Sequence, residues 1–317
     1  MTRRRRGLLV QAALAAALLL ALAFVAWNTA QNLEARKIAS GFAFLWREAG
    51  FEIGETSFIA YSAADSYLRA LTVGLANTFR VASIGIVLTT ILGALLGLAR
   101  LSPNWLLARL AAAYVETVRN VPLLVQLFFW YTLISESLPA PAEALNPLPG
   151  VFLSNRGIFF PLPGDWPVLS GFNFTGGASL SPEFATLLIG LVTYTAGFIA
   201  EIVRAGILSV PRGQVEAAHS LGLGRRDELR YVTMPLALRL MVPPLTSQYL
   251  NLTKNSSLAV AIGYPDLVSI ANTTMNQTGQ AIEGVAIIMA VFLTISLSIS
   301  AFMNWYNRRV ALRGNVG

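Results

Sequence analysis

Apolar residues occur along this chain in runs of about 20, the length a helix needs to cross the ~30 Å hydrocarbon layer of a bilayer. The runs fall at residues 8–27, 72–99, 111–134, 184–203, 235–252 and 282–305, with polar segments between them. The pattern predicts about six transmembrane helices in an all-α, polytopic membrane bundle. Pro243 and Pro244 lie inside the fifth run, where the lost backbone hydrogen bonds predict a kink. Residues 136–182 are rich in Pro and Gly but also in aromatics, which predicts an ordered, irregular loop without regular structure.

Charge gives the bundle an orientation. Arginines cluster at 3–6, 100–109, 204–230 and 308–313. With six spans all four clusters fall on one side, together with both termini, and the positive-inside rule makes that side the cytoplasm. Residues 28–70 and 136–182 then lie outside; long loops translocate regardless of charge, so Arg36, Lys37 and Arg47 are compatible with this. A basic start followed by an apolar run also suits a secretory signal. This run is longer than a signal core, and no small-x-small cleavage site follows it cleanly, so a retained span is expected. The chain thus divides into a first span with an external segment (1–70), a main membrane domain (71–310) and a cytoplasmic tail (311–317). The main domain contains the long loop 136–182 and a cytoplasmic loop at 206–233.

Composition narrows the function. Only 12% of residues are charged against 55% hydrophobic, where a soluble domain carries about 25% charged. The net charge of +7 therefore reflects loops held inside rather than a nucleic-acid surface. With no cysteine, disulfides and thiolate chemistry are excluded. The single histidine, His219, excludes a multi-histidine metal site. The lysines are Lys37 and Lys254, neither preceded by glycine, so the chain carries no phosphate-cradling Gly-Lys loop and is not its own P-loop ATPase. No Gly-x-Ser-x-Gly is present, and no metal or cofactor is called for.

The most informative polar segment runs from Ser209 to Gly222, SVPRGQVEAAHSLG. Pro211 suits a first helical turn. Val215, Ala218 and Leu221 recur at threes as an apolar stripe. Gly222 and Gly224 suit the end of that helix, and residues 225–231 suit a second short one. A plain connector needs only a few residues. A hairpin of about 30 with an apolar stripe points to a docking element for a partner protein.

Glu216-Ala217-Ala218, then Gly222, Val232 and Pro235, resemble the EAA loop of binding-protein-dependent ABC importer permeases. Val232 and Met234 stand where that family usually has Ile and Leu. Ala200-Glu201-Ile202-Val203-Arg204-Ala205-Gly206, Glu116-Thr117-Val118-Arg119-Asn120-Val121-Pro122 and Lys254-Asn255-Ser256-Ser257 resemble the polar amino acid permeases, closest to the broad-specificity L-amino-acid branch. That family commonly has Asp-Thr where this chain has Asn255-Ser256. The resemblance covers about residues 70–310. It implies a non-catalytic inner-membrane subunit that works with an ABC ATPase, a second permease subunit and a periplasmic amino-acid-binding protein. It also implies that Gln214, Glu216, Ala217, Ala218, Leu221 and Gly222 form the coupling helix that docks on the ATPase.

Candidates for a substrate path come from polar residues inside spans. Thr186, Gly190, Thr193, Gly197 and Glu201 share one helical face. The Gly and Thr positions suit helix packing as well as a path. Glu201 suits a substrate or gating role, or an i,i+3 ion pair with Arg204. Gln248, Asn251 and Asn255 form a second polar face, suited to lining a path or to interhelical hydrogen bonds. Arg80, near Asn77, is expected to snorkel to the headgroups or to meet a substrate carboxylate; Glu116 and Arg119 are expected to pair. The function expected is the permease subunit of an ABC importer for amino acids. An ion-coupled secondary transporter and a non-transporting scaffold are the alternatives. The first of these would have only Glu201 for ion coupling and leaves the docking hairpin unexplained; the second does not explain two polar faces within the spans.

Overall fold

A computed structural model of the chain describes residues 3–35, 40–56 and 59–310. The expected tail at 311–317, and Arg36 and Lys37 with it, lie outside the described residues. Ten α-helices carry the fold among those described. The first, α1 (Arg3–Ala35), spans the first apolar run, and α2 (Tyr67–Arg100) covers the second. At 1.5 Å per residue α2 is roughly 50 Å long, more than the ~30 Å hydrocarbon layer, so it projects beyond it. The Ser66 hydroxyl caps its start by accepting from the Arg69 amide at 3.3 Å.

The third apolar run is broken, contrary to the single span expected at 111–134. It consists of α3 (Trp105–Asn120) and α4 (Leu123–Thr132), followed by a π-helical turn at Leu133–Ser137. Pro122 is the physical cause. It forces Val121 into extended backbone (φ −93°, ψ 126°) and removes an amide donor. The Gln126 side chain repairs the break by donating to the carbonyls of Val118 (2.9 Å) and Val121 (3.0 Å).

Residues 136–182 form more regular structure than expected. Strands β1 (Leu145–Leu148), β2 (Val151–Ser154), β3 (Gly157–Phe160), β4 (Val168–Ser170), β5 (Asn173–Thr175) and β6 (Ala178–Leu180) make two antiparallel sheets. The larger has the order β1-β2-β3-β6 and the smaller is the β4-β5 hairpin. Phe174 joins them, with its ring centroid 4.5 Å from that of Phe152 and 4.9 Å from that of Phe159.

The chain returns to the bundle in α5 (Pro182–Leu208), which starts at Pro182 with the Ser181 hydroxyl accepting from Phe184. Two short helices, α6 (Arg212–Ser220) and α7 (Arg225–Glu228), precede α8 (Met234–Asn255). The helical assignment of α8 runs unbroken through Pro243 and Pro244, where a kink was expected. A further helix, α9 (Leu267–Thr278), precedes α10 (Ala281–Val310).

Helices α2 and α5 form the centre of the bundle. Thr89, Gly93 and Gly97 lie four residues apart on α2 and face α5. A Cβ on Gly93 would stand 2.6 Å from Ile199, and one on Gly97 2.7 Å from the Ala200 carbonyl, so only glycine permits this approach. The polar segment before α2 packs on the bundle as well. Phe44 is 1% exposed against Tyr67, Leu267 and Ile270, and the Gly41 amide donates to Glu283 at 2.6 Å.

Among the described residues four helices, α1, α2, α5 and α10, are long and apolar enough to cross a membrane by length and composition. The interrupted α3–α4 pair and the proline-bearing α8 occupy the remaining two expected positions. The helical, multi-pass membrane class expected from the sequence is the class observed.

Candidate coupling loop and transport path

The hairpin between α5 and α8 is built by its caps. Pro211 opens α6. At its end Leu223 donates to the Ala218 carbonyl (3.1 Å) and Gly222 to the His219 carbonyl (2.9 Å), the paired bonds of a Schellman stop. Gly222 makes it possible with φ +79°. Helix α7 continues through a π-helical turn at Leu229–Thr233 directly into α8. Glu228 is 6% exposed and accepts from the Thr233 hydroxyl across that turn. Helix therefore runs without interruption from α7 into α8.

The apolar stripe expected on α6 divides. Val215 packs into a cluster around Val210, Ala237 and Met241, and Ala218 is 3% exposed, whereas Leu221 is 83% exposed. Two of the three stripe residues thus face the chain's own bundle. Gln214, Glu216, Ala217, Leu221 and Gly222 are left outward. The outward surface is a mixed polar and apolar patch rather than a stripe, because the inward face is used to hold α6 to α5 and α8.

At the same end of the bundle lies Glu201. Its carboxylate accepts from Arg100, across 101 residues on α2, and from Arg204, at 2.5 Å to Nη2 and 3.2 Å to Nε. The i,i+3 pair with Arg204 was legible in the sequence, but the bond to Arg100 was not. The rest of that face of α5 is occupied by neighbouring helices. A Cβ on Gly190 would stand 2.5 Å from Leu127, and one on Gly197 3.4 Å from Arg119. Thr193 bonds within its own helix to Ile189 at 2.7 Å, and Tyr114 donates to the Thr193 carbonyl at 3.1 Å. In this structure Thr193 and Gly197 are packing positions. Arg119 lies 4.9 Å from the Phe198 ring centre; the expected Glu116–Arg119 ion pair is not among those of the described residues.

Asn77 and Arg80 sit at the opposite end and are tied inward. Asn77 is 1% exposed and donates to the carbonyls of Glu55 and Pro265, both at 2.9 Å. Arg80 pairs with Glu55 and lies 4.0 Å over the Phe184 ring, where snorkelling was the first expectation. A half-buried carboxylate from the 40–66 segment takes the place of the headgroups. Glu55 also accepts from Ser181 at 2.7 Å, at the start of α5.

Gln248, Asn251 and Asn255 differ from these. Asn251 is exposed and the other two are half-buried, and among the described hydrogen bonds none joins their side chains to another element. With exposed Ser247 and Lys254 they form an open polar face along α8. The structure thus separates the candidates into the outward hairpin, an ion triad beside it, packing glycines on α5 and one open polar face.

Comparison with known proteins shows what this arrangement resembles. Residues 85–312 match the family described as the binding-protein-dependent transport system inner membrane component. The chain is 46% identical to the putative amino-acid ABC transporter permease protein YhdX of Escherichia coli K12, over 90% of this chain and 89% of that one. It is 44% identical to the general L-amino acid transport system permease protein AapQ of Rhizobium johnstonii, over 91% and 88%. Among solved structures it resembles a crystal structure of an amino acid ABC transporter with histidines. The TM-score is 0.57 and the identity 26%, covering 77% of this chain and 95% of that one.

Proposed function

This chain belongs to the family of binding-protein-dependent transport system inner membrane components, and we propose that, as a permease subunit of an amino-acid ABC importer, it couples through the 211–233 hairpin. The observation that carries this is the hairpin's construction. Its outward face is free, its inward face is packed on α5 and α8, and Glu228 with Thr233 stiffens its exit into α8. A separate ATPase subunit presses on Gln214, Glu216, Ala217, Leu221 and Gly222, with Ala218 as the buried seat. The displacement passes along α8 and, through the Glu201–Arg100 bond, into α2. The chain itself performs no chemistry; it makes different contacts in two states.

In this reading the open face of α8, Gln248, Asn251 and Asn255, lines the amino acid's path, facing a second permease subunit. Polar groups with no partner among the described residues are costly in hydrocarbon and fit a wet path. A secreted binding protein delivers the amino acid to the end that carries the β-sheets. The hairpin end is cytoplasmic.

Reporter fusions test this orientation. A reporter at Gly150, in the β1–β2 turn, is expected to report the periplasm, and one at Asp227, in the hairpin, the cytoplasm. A cytoplasmic signal at Gly150 would overturn the assignment of sides and, with it, access of an ATPase to the hairpin.

A further inference from the structure

The end of the bundle away from the hairpin holds a buried carboxyl that the coupling account leaves unused. Asp266 is 0% exposed. One of its oxygens caps α9 by accepting from the Ser269 amide at 2.8 Å; the other, Oδ2, has no hydrogen-bond partner among the described residues. The same corner carries a second orphan. The Asn77 amide is fixed in orientation because its nitrogen donates to two carbonyls, those of Glu55 and Pro265. Its oxygen, Oδ1, is therefore an acceptor, and it too has no partner. Two buried acceptors at one corner, one a carboxylate oxygen, and the buried Tyr264 hydroxyl have no partner among the described residues, and an unmade buried bond costs more than a made one gains.

We propose that Asp266 is held as a neutral carboxylic acid in the folded protein, so that this corner is a proton-dependent clasp. Three elements meet here. The carbonyl of Glu55 belongs to the 40–66 segment, Asn77 and Thr78 to α2, and Asp266 to the start of α9, whose Leu267 amide donates to the Thr78 hydroxyl at 3.0 Å. The approach of α2 to the start of α9 is close, since a Cβ on Gly74 would stand 3.0 Å from the Asp266 backbone carbonyl oxygen.

Each element packed at this corner carries charged groups. From α2 the ionised group is Arg80, which is engaged by Glu55 of the 40–66 segment. From α5 it is Glu183, which with Glu52 and Glu55 lines a cleft of about 400 Å³ that also touches Pro265 and Ser269. From α10 it is Glu283, bonded to the Gly41 amide. On the corner itself Tyr264 is fully buried, and burial holds its hydroxyl above its ordinary value. Burial pushes the Asp266 carboxyl from its ordinary 3.8 up to about 7. The sign follows: the folded corner binds the proton more tightly than an unfolded chain does. The clasp is at full strength below pH 3.8 and is lost as the pH rises through about 7. Which compartment's pH it reads rests on the orientation proposed above; the protonation does not.

Thermal melting of the purified full-length chain in detergent, from pH 5 to 8, tests the proposal with two variants. The wild type is expected to lose several degrees in melting midpoint across that range. Asp266→Asn keeps the helix cap and mimics the neutral acid, so its midpoint is expected to match the acid-pH wild type and to stay flat. Asp266→Ala removes the cap and is expected to melt lower at every pH. An infrared band of a protonated carboxyl, present in the wild type at pH 6 and absent in Asp266→Asn, is expected alongside. An Asp266→Asn midpoint as low as that of Asp266→Ala, or a wild-type slope that survives in Asp266→Asn, would overturn it. A misassigned orientation would leave these melting results unchanged and would show only in the Gly150 and Asp227 reporters.

Discussion

Replacing Gly222 by Asp, or Glu216 by Lys, is expected to reduce amino-acid uptake to background while the chain still accumulates in the membrane at near wild-type level. Gly222 occupies the left-handed region at φ +79°, and an added Cβ there meets nothing within 4 Å. The cost of Asp is therefore conformational rather than steric, about 1–2 kcal/mol, which a folded bundle tolerates. What changes is the outward surface. The turn that sets the angle of α6 is strained, and a negative charge appears beside Leu221. Glu216→Lys reverses the charge of an exposed residue on the same helix without touching the inward seat at Val215 and Ala218. Uptake and membrane content, measured on the same cells, check this. Normal uptake by the Gly222→Asp variant would remove the docking assignment.

Glu201→Gln is expected to give the second largest effect, through the ion triad. The substitution leaves Arg100 and Arg204 facing one another with no carboxylate between them. Their side chains and that of Glu201 remain 15–32% exposed. The loss is thus on the order of 1–3 kcal/mol, below the 3–5 kcal/mol of a fully buried pair whose partner is removed. Lower melting and lower uptake are expected together, with the preference among amino acids unchanged. Removing Arg100 as well, in Arg100→Gln with Glu201→Gln, is expected to recover part of both, because one of the two like charges is gone. Exchanging Glu201 and Arg204 is not expected to restore function, since Arg100 would then face an arginine at 201. An altered substrate profile with an unchanged melting midpoint would instead place Glu201 on the path.

The sequence made the long elements legible and hid the contacts between them. The apolar runs at 72–99, 184–203 and 282–305 lie within α2, α5 and α10, because a helix that crosses the hydrocarbon layer must stay apolar over its whole length. The break between α3 and α4 was hidden because apolar residues flank Pro122 on both sides, although proline and its restraint on Val121 were the available signal. The sheets of the 136–182 segment were missed because their strands are three or four residues long, too short for an alternating pattern to register. Helix α9 is polar enough to read as a loop; Asp266 before it and Gly279 after it, at φ +72°, are the caps that a search for stop and start signals would find. For the site, the hairpin was readable because its caps and its charge are local. The Glu201–Arg100 and Arg80–Glu55 pairs were not, because residues 101 and 25 apart leave no spacing pattern in a chain.

We propose that this chain moves amino acids only when a partner that hydrolyses ATP drives it through its hairpin. Reconstitution in proteoliposomes tests it most directly: the chain and its partner permease, with and without the cognate ATPase subunit and amino-acid-binding protein, measured for labelled amino-acid uptake and ATP hydrolysis. Accumulation is expected only when ATP, the ATPase and the binding protein are all present, with no hydrolysis by the purified chain alone. Accumulation by the chain without the ATPase, driven by a sodium or proton gradient, would contradict it.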